Sequence, residues 1–598
     1  MRAVRRAMSG AAAIAAACAL AACGGVAAPG TVVAGSVAAV AWEGPLTTLN
    51  PAVAAERTAG DLDVAALTRA RFATVESGAL VANEDFGQVT IEEESAGGLV
   101  VSYDLAEPVW SDGIALDAAD LMLAWAAGSG GLRAATDVEF AAADTGLALS
   151  EEVPAYDEFA RRIEVTYTEP VIDWQTAIDV AVPAHVVGQR ALGIDDPMAA
   201  KTAVIEAITG RDAAALEQIA QLWNEGFAVT GKGGLVAADE LTLSSGPYAI
   251  DGIQGGPDEE GQKVTLVANP RYTGTRTPAY ETLVLQRDAA EDPADLGDAY
   301  DVMTVRPTGE NFDAIRTLER TDHGVSITDR GELWTLLARV DGVSKLSDPA
   351  VRAVFLRAFD RTDVTSAAAG AWEDAYPAAS AVLFAPGDEG YDIAQEDAGF
   401  ADAFRRTGDP AEERIAAGIP ENSAVCVLYD STSAFATAAF EALRAQVAEA
   451  GWAAADCGNP DPASVVEVGG EWDVQITRLA IPATPAEIDA VWGTGGALNA
   501  TGATSDARDA LIDELAHTTD PYAARDTRVA IEKTIVDQMV AVPLAMDPIV
   551  ALADTSLEAV LPRGGRVAPV IGTAVDWRPA GAPEPQPTEG SDEDGSLF

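Results

Sequence analysis

Residues 424–455, AVCVLYDSTSAFATAAFEALRAQVAEAGWAAA, set the architecture of this chain. The run 424–429 is apolar and of strand length. Ser433 is a capping residue, and Phe435, Phe440, Leu443 and Val447 then recur on one helical face as far as Gly451. A second apolar run follows at 452–455. Strand, helix and strand at this spacing make a βαβ unit with parallel neighbours, the mark of an α/β protein.

The pattern extends outward from there. Residues 473–479 read as a third strand, and two helices follow near 505–517 and 520–539. Asp348-Pro349 is a helix start, a capping Asp with Pro at the first helical position. Val351, Val354, Phe355, Ala358 and Phe359 continue it at helical spacing. Nearer the N-terminus, residues 99–105 alternate as a strand, with Leu99, Val101, Tyr103 and Leu105 on one face. Trp110-Ser111-Asp112-Gly113 then turns the chain, and Asp117 caps a helix over 118–127. Residues 162–167 and 263–267 are further strands. Asp360-Arg361, at a helix end, is expected to form a buried or partly buried ion pair.

The first 23 residues place the chain outside the cytoplasm. Arg2, Arg5 and Arg6 precede an apolar run from Ala11 to Ala22, and Leu20-Ala21-Ala22-Cys23 stands at the cut. That order is a secretory signal, its core shorter than the roughly 20 residues a membrane span needs. Cys23 there resembles a lipobox, so residues 1–22 are expected to be removed and Cys23 lipidated. The alternative is a plain secretory signal with an incidental Cys. Two acyl chains give stable anchoring where one is marginal. Residues 23–36 read as a tether, and 581–598, rich in Pro and acid, as a disordered tail. Cys426 and Cys457 remain as an even pair in an exported chain, for which a disulfide is expected and two free thiols are the alternative.

The 598 residues carry 94 acids against 38 Lys and Arg, a net charge of −56. Such a surface repels nucleic acid, which excludes that class of partner. It enriches cations locally, or serves solubility alone. The enzyme signatures are missing. There is no Gly-x-Ser-x-Gly elbow, and Gly231-Lys232-Gly233-Gly234 and Gly493-Thr494-Gly495-Gly496 fit no nucleotide loop. The three histidines, His185, His323 and His517, are far apart, so no metal site or cofactor is expected. Eleven Trp and eleven Tyr suit the walls of a small-molecule site.

Five motifs in order resemble the extracellular solute-binding proteins of family 5, the oligopeptide-, dipeptide- and nickel-binding lipoproteins of ABC importers. They are Thr48-Leu49-Asn50-Pro51; Val109-Trp110-Ser111-Asp112-Gly113 with Leu116-Asp117-Ala118-Ala119-Asp120-Leu121; Ser245-Gly246-Pro247-Tyr248 with Asn269-Pro270-Arg271-Tyr272-Thr273-Gly274; Asp348-Pro349-Ala350-Val351-Arg352 with Ala358-Phe359-Asp360-Arg361; and Val542-Pro543-Leu544. The resemblance implies a periplasmic-binding-protein-like type II fold, two α/β lobes joined by a hinge, with an extra subdomain. Lobe I is then 37–75 with 186–290 and 548–580, the extra subdomain 76–185, and lobe II 291–547.

It also implies a substrate-binding lipoprotein, exported and anchored on the outer face of the cytoplasmic membrane. Such a protein is a monomer that hands its solute to the transmembrane subunits of a permease and makes no bond itself. Peptide binders of the family hold the peptide amine with an Asp in a Trp-x-Ala-Asp-Tyr-Asn segment. Here Trp492-Gly493-Thr494-Gly495-Gly496-Ala497-Leu498-Asn499 lacks it, and Asp489 is the nearest acid before Trp492. The expected ligand contacts are Glu56, Arg57, Arg478, Trp492 and Asn499. An oligopeptide or dipeptide is the leading ligand. A nickel chelate, a sugar, or a receptor or regulator role on the same fold are the alternatives.

Overall fold

The computed structural model describes residues 29–582 except 55–56, 77, 96, 144, 158–160, 232–238, 289–291 and 407. The signal, Cys23, Glu56 and the acidic tail beyond 582 lie outside the described residues.

A strand-rich backbone runs through the whole molecule as one mixed sheet of ten strands. Its order is Trp452–Asp456, Ser423–Tyr429, Val474–Ala480, Gly324–Ala338, Ala541–Ala553, Val302–Val305, Val33–Trp42, Tyr280–Arg287, Lys263–Ala268 and Tyr248–Gln254. The first of these in sequence opens at Val33, inside the stretch expected as tether. The βαβ unit forms as its pattern requires. Ser423–Tyr429 pairs in parallel with Trp452–Asp456, and the helix Ala434–Glu449 crosses between them. Ser433 caps that helix, its hydroxyl accepting from the Ala436 amide. Cys426 and Cys457 are joined in a disulfide beside this pair of strands.

Ala541–Ala553 is buried at all 13 positions, as suits a strand covered on both faces. It pairs antiparallel with Gly324–Ala338 along almost its whole length. The register breaks between Asp329 and Leu333, opposite Pro548 and Met546. Gly331 sits in this bulge at φ +67°, and a Cβ there would meet Arg566 at 2.7 Å.

The apolar core divides around that bulge. One cluster gathers Trp42, Trp110, Trp125, Trp223 and Trp577 with Ile549, Ala551 and Ala553. Others gather Trp334, Phe355, Phe440 and Trp452 with Val542 and Leu544, and Trp492, Ile512 and Ile535 with Ala541. A smaller cluster of Met303, Ile315 and Trp372 with Val550 and Leu552 lies between. The four-stranded antiparallel sheet of Gly87–Ser95, Gly98–Leu105, Arg162–Tyr167 and Ala155–Tyr156 packs into the first core.

Local chemistry explains the element starts. Among the described residues five α-helices open on Asp-Pro, at Asp196, Asp348, Asp409, Asp461 and Asp520, each Asp accepting a backbone N–H of the first turn. The helix from Pro349 ends at Leu356, so Ala358 and Phe359 lie beyond it. Asp117 and Asp120 form a capping box, and Asp120 also accepts from Trp110, Ala184 and Lys201. Asp112 contacts His185 at 3.0 Å, and Gly113 turns at φ +93° against Arg271. The Trp-Ser-Asp-Gly motif is therefore a surface turn pinned to the first core by its buried Trp110.

Asp360 and Arg361 do not form the expected ion pair. Asp360 caps the helix Arg361–Ala369 through the Thr362 amide. Arg361 turns away to the carbonyls of Ala379 and Pro543 and to the Ser380 hydroxyl. Backbone carbonyls solvate this guanidinium, and burial lowers its pKa.

Candidate functional site

The bulge at 329–333 lies at the junction of the cores, and charged side chains collect around it. The strand Val33–Trp42 delivers Glu43 at its C-terminal end. Arg330, from the bulge, meets Glu43 at 2.7 Å, and the Thr304 hydroxyl donates to the other Glu43 oxygen at 3.4 Å. On the second core's side, Asp547 is buried and accepts the indole N–H of Trp334 at 2.7 Å. Arg306 reaches the same carboxylate at 2.9 Å and Arg478 lies 3.5 Å from it. Arg478 also sits 3.9 Å from Glu332 and 5.7 Å above the Trp334 ring. Trp334 stacks on Phe435 at 4.6 Å, and Phe435 on Tyr376 at 4.8 Å. The result is an aromatic wall topped by a guanidinium. Burial, and then the charge of Asp547, push the Tyr376 phenol well up, so it stays a neutral donor.

A solvent-open cavity of about 240 Å³ lies beside this cluster. Its floor is apolar, from Val40, Met303, Ile549 and Ile571. Its charged lining is Glu43, Asp63, Arg330 and Arg566. A second opening shares Glu43 and Thr304 with it and adds Arg306 and Asn311. An apolar floor with a few convergent polar groups is the usual form of a small-molecule site. Contacts also cross between the two cores here. Arg566 meets Glu487 at 2.7 Å, the Ile172 amide donates to the Ala516 carbonyl at 3.0 Å, and His517 Nδ1 lies 2.9 Å from the Pro170 carbonyl.

The structure brings one of the expected contacts, Arg478, into this cluster. Arg57 is exposed, donates to the Pro51 carbonyl at 3.3 Å, and lines a different, alanine-walled cavity in the first core. Trp492 is buried in the separate cluster with Ile535 and Ala541, where it packs with Ile488 and Ile512. Asn499 holds a turn together: its amide donates to the carbonyls of Gly493 and Ala503, and its oxygen accepts from Thr501 and Gly502. Asp489 crowds Gly493 and so belongs to the same turn. Glu43, Arg306, Arg330, Trp334 and Asp547 carried no motif. The one available signal was the position of Glu43 directly after an apolar strand.

No family model matches the chain. An uncharacterized lipoprotein of Mycobacterium leprae is 32% identical over 222 residues, 36% of this chain and 35% of that protein. An uncharacterized lipoprotein of Mycobacterium bovis is 32% identical over 208 residues, 33% of each. The match thus spans about a third of the length of these relatives. Solved structures cover far more. The periplasmic EDTA-binding protein EppA superimposes with a TM-score of 0.73 at 18% identity, over 93% of this chain and 98% of its own. The ABC transporter substrate-binding protein CtaP of Listeria monocytogenes gives 0.67 at 14%, over 91% and 99%. The oligopeptide-binding protein AppA of Bacillus subtilis, in complex with a nonapeptide, gives 0.59 at 13%, over 91% and 99%. The chain has the periplasmic-binding-protein-like type II fold, and these neighbours bear out the resemblance to the family-5 solute-binding proteins that its motifs carry.

Proposed function

We propose that this chain is the solute-binding subunit of an ABC importer, anchored by lipid at Cys23 on the outer face of the cytoplasmic membrane. It captures its solute outside the cell and presents it to the permease without making or breaking a bond. The carrying observation is the charged cluster at the bulged strand pair, where Glu43 and Arg330 line an open cavity and Arg306 and Arg478 meet at the nearby Asp547. A bulge between two rigid cores is a natural hinge, and ligand contacts made only on closing would drive closure. Among the described residues no helix is long and apolar enough to cross a membrane. That leaves the lipid as the proposed anchor, and the mycobacterial relatives are named lipoproteins.

The ligand of this reading is an oligopeptide or dipeptide. Cationic and anionic groups share one site, which suits a solute with both an amine and a carboxylate. The guanidinium groups of Arg306 and Arg478 offer bidentate geometry to a carboxylate.

Native mass spectrometry of residues 24–580, purified without denaturation, tests this. A ladder of peptide masses released from the protein is the expected result. A single non-peptide mass would replace the ligand but keep the subunit role. A protein that carries nothing, and whose melting temperature moves with no dipeptide, sugar or metal chelate, would sink the reading.

A further inference from the structure

Asp63 lies on the helix Ala59–Thr68 and opens into the cavity beside Glu43. Its neighbour Asp61 is fully engaged, accepting from the amides of Thr47, Thr48 and Thr58. Asp63 is not. One of its oxygens accepts the Trp42 indole N–H at 3.0 Å. Among the described residues, the other has no hydrogen-bond donor, and no Lys or Arg stands within ion-pair distance of the group. The nearby guanidinium groups are committed elsewhere, Arg330 to Glu43 and Arg566 to Glu487. The cavity therefore holds two carboxylates, Glu43 and Asp63, over an apolar floor, and its two guanidinium groups, Arg330 and Arg566, are paired with Glu43 and Glu487 rather than with Asp63.

We infer that Asp63 is the receptor of this cavity for a primary ammonium group, held against the indole edge of Trp42 with its carbon chain on the apolar floor. The inference rests on the solute-binding reading and names the cationic end of the solute. Three physical facts support it. A carboxylate with one indole donor keeps an open acceptor that an ammonium fills with a charge-assisted bond. An apolar cavity strengthens that attraction relative to water. The adjacent Glu43 carboxylate adds to the negative potential and repels anions. Burial first, and then the charges of Glu43 and Asp61, raise the Asp63 pKa to about 6, against the pull of Trp42 and Arg330.

The test uses the full soluble chain labelled with 15N-tryptophan, with butylammonium and butyrate as probes. The indole resonance of Trp42, assigned by its loss in Trp42→Phe, reports directly on Asp63. Butylammonium is expected to move it saturably and butyrate to leave it in place. In Asp63→Asn, which keeps an acceptor for the indole, butylammonium binding should weaken about tenfold or more, the loss of one charge-assisted contact. A purely structural Asp63 would leave that affinity unchanged. Wild-type protein gives an independent readout, because binding should fall as pH drops below about 6 and Asp63 takes up a proton. The groups facing it there are Glu43, Asp61, Arg330 and Arg566. An unmoved Trp42 resonance, an equal response to butyrate, or unchanged affinity in Asp63→Asn would overturn the inference. Recovery of peptides by mass spectrometry alongside any of these would leave the importer reading intact.

Discussion

The indole of Trp334 and the carboxylate of Asp547, 213 residues apart in sequence, meet at 2.7 Å across two paired strands. Asp547→Ala strips the buried indole N–H of its acceptor and removes the counter-charge of Arg306 and Arg478. Both arginines are more than a third exposed, so water compensates much of the ionic loss. The orphaned indole costs about 1–3 kcal/mol. Urea denaturation should show that loss in Asp547→Ala, and a smaller one in Asp547→Asn, which keeps an acceptor. Equal stability in all three proteins would contradict the arrangement.

Glu532 predicts a pH dependence. It is buried and accepts the amides of Val382 and Leu383. Arg528, nearby, spends its Nη2 on the carbonyls of Leu383 and Pro482. Burial raises the Glu532 pKa from 4.5 to about 7, against those amides and Arg528. The native state thus binds more protons than the unfolded chain between these values, so stability falls as pH rises from about 4.5 through about 7. Wild-type protein should lose up to about 3 kcal/mol more than Glu532→Gln between pH 5 and pH 8. Parallel curves for the two proteins would refute this.

The Cys426–Cys457 disulfide closes a 31-residue span around the βαβ unit. Its removal should act on the unfolded chain, at about 3–4 kcal/mol by loop entropy. A Cys426→Ser, Cys457→Ser protein is expected to keep its far-ultraviolet dichroism, because Val425, Phe440, Leu443 and Trp452 still bury the unit. Its stability in urea should drop by that amount, and an added reductant should no longer change it.

Among the contacts that tether the second core to the first are Glu487 to Arg566 and His517 to the Pro170 carbonyl. Glu487 and Arg566 are both about 40% exposed, so their pair is worth roughly 0.2–1 kcal/mol. That suffices to move an open–closed equilibrium up to about fivefold while hardly touching global stability. Glu487→Ala should open the molecule in small-angle scattering, and exchanging the charges between 487 and 566 should restore compaction. His517→Ala should speed hydrogen exchange at the Ile172 amide, which bonds to the Ala516 carbonyl beside it. Unaltered scattering and exchange would remove both contacts from any closing equilibrium.

Where local physics decides the outcome, the sequence is legible. Ser433, Asp348 and Asp520 cap helices because a side-chain oxygen meets amides two or three residues on. The strand expected at 162–167 matches the observed one residue for residue. The site was less legible, because Glu43, Arg330 and Asp547 come from strands separated by hundreds of residues. No spacing rule joins them, and only pairing across the bulge does. Arg478 was reachable as a charge at the end of a strand. Trp492 and Asn499 stand in the segment where the family places its ligand-binding acid, but here that segment folds into a tight turn. Its tryptophan fills core and its asparagine is spent on backbone. Asp360-Arg361 misled because adjacency in sequence does not orient two side chains toward each other.

The strand Ala541–Ala553 supplies residues to both cores, yet it lies near the end of the chain. A chain made, or exported as proposed above, N-terminus first cannot complete these cores until this strand has emerged. Ile549 and Ala551 are missing from one and Val542 and Leu544 from the other until then. The order of the sheet thereby makes completion of the fold wait for residues near the end of the chain. Truncation anywhere before residue 553 would leave two incomplete halves rather than one finished lobe.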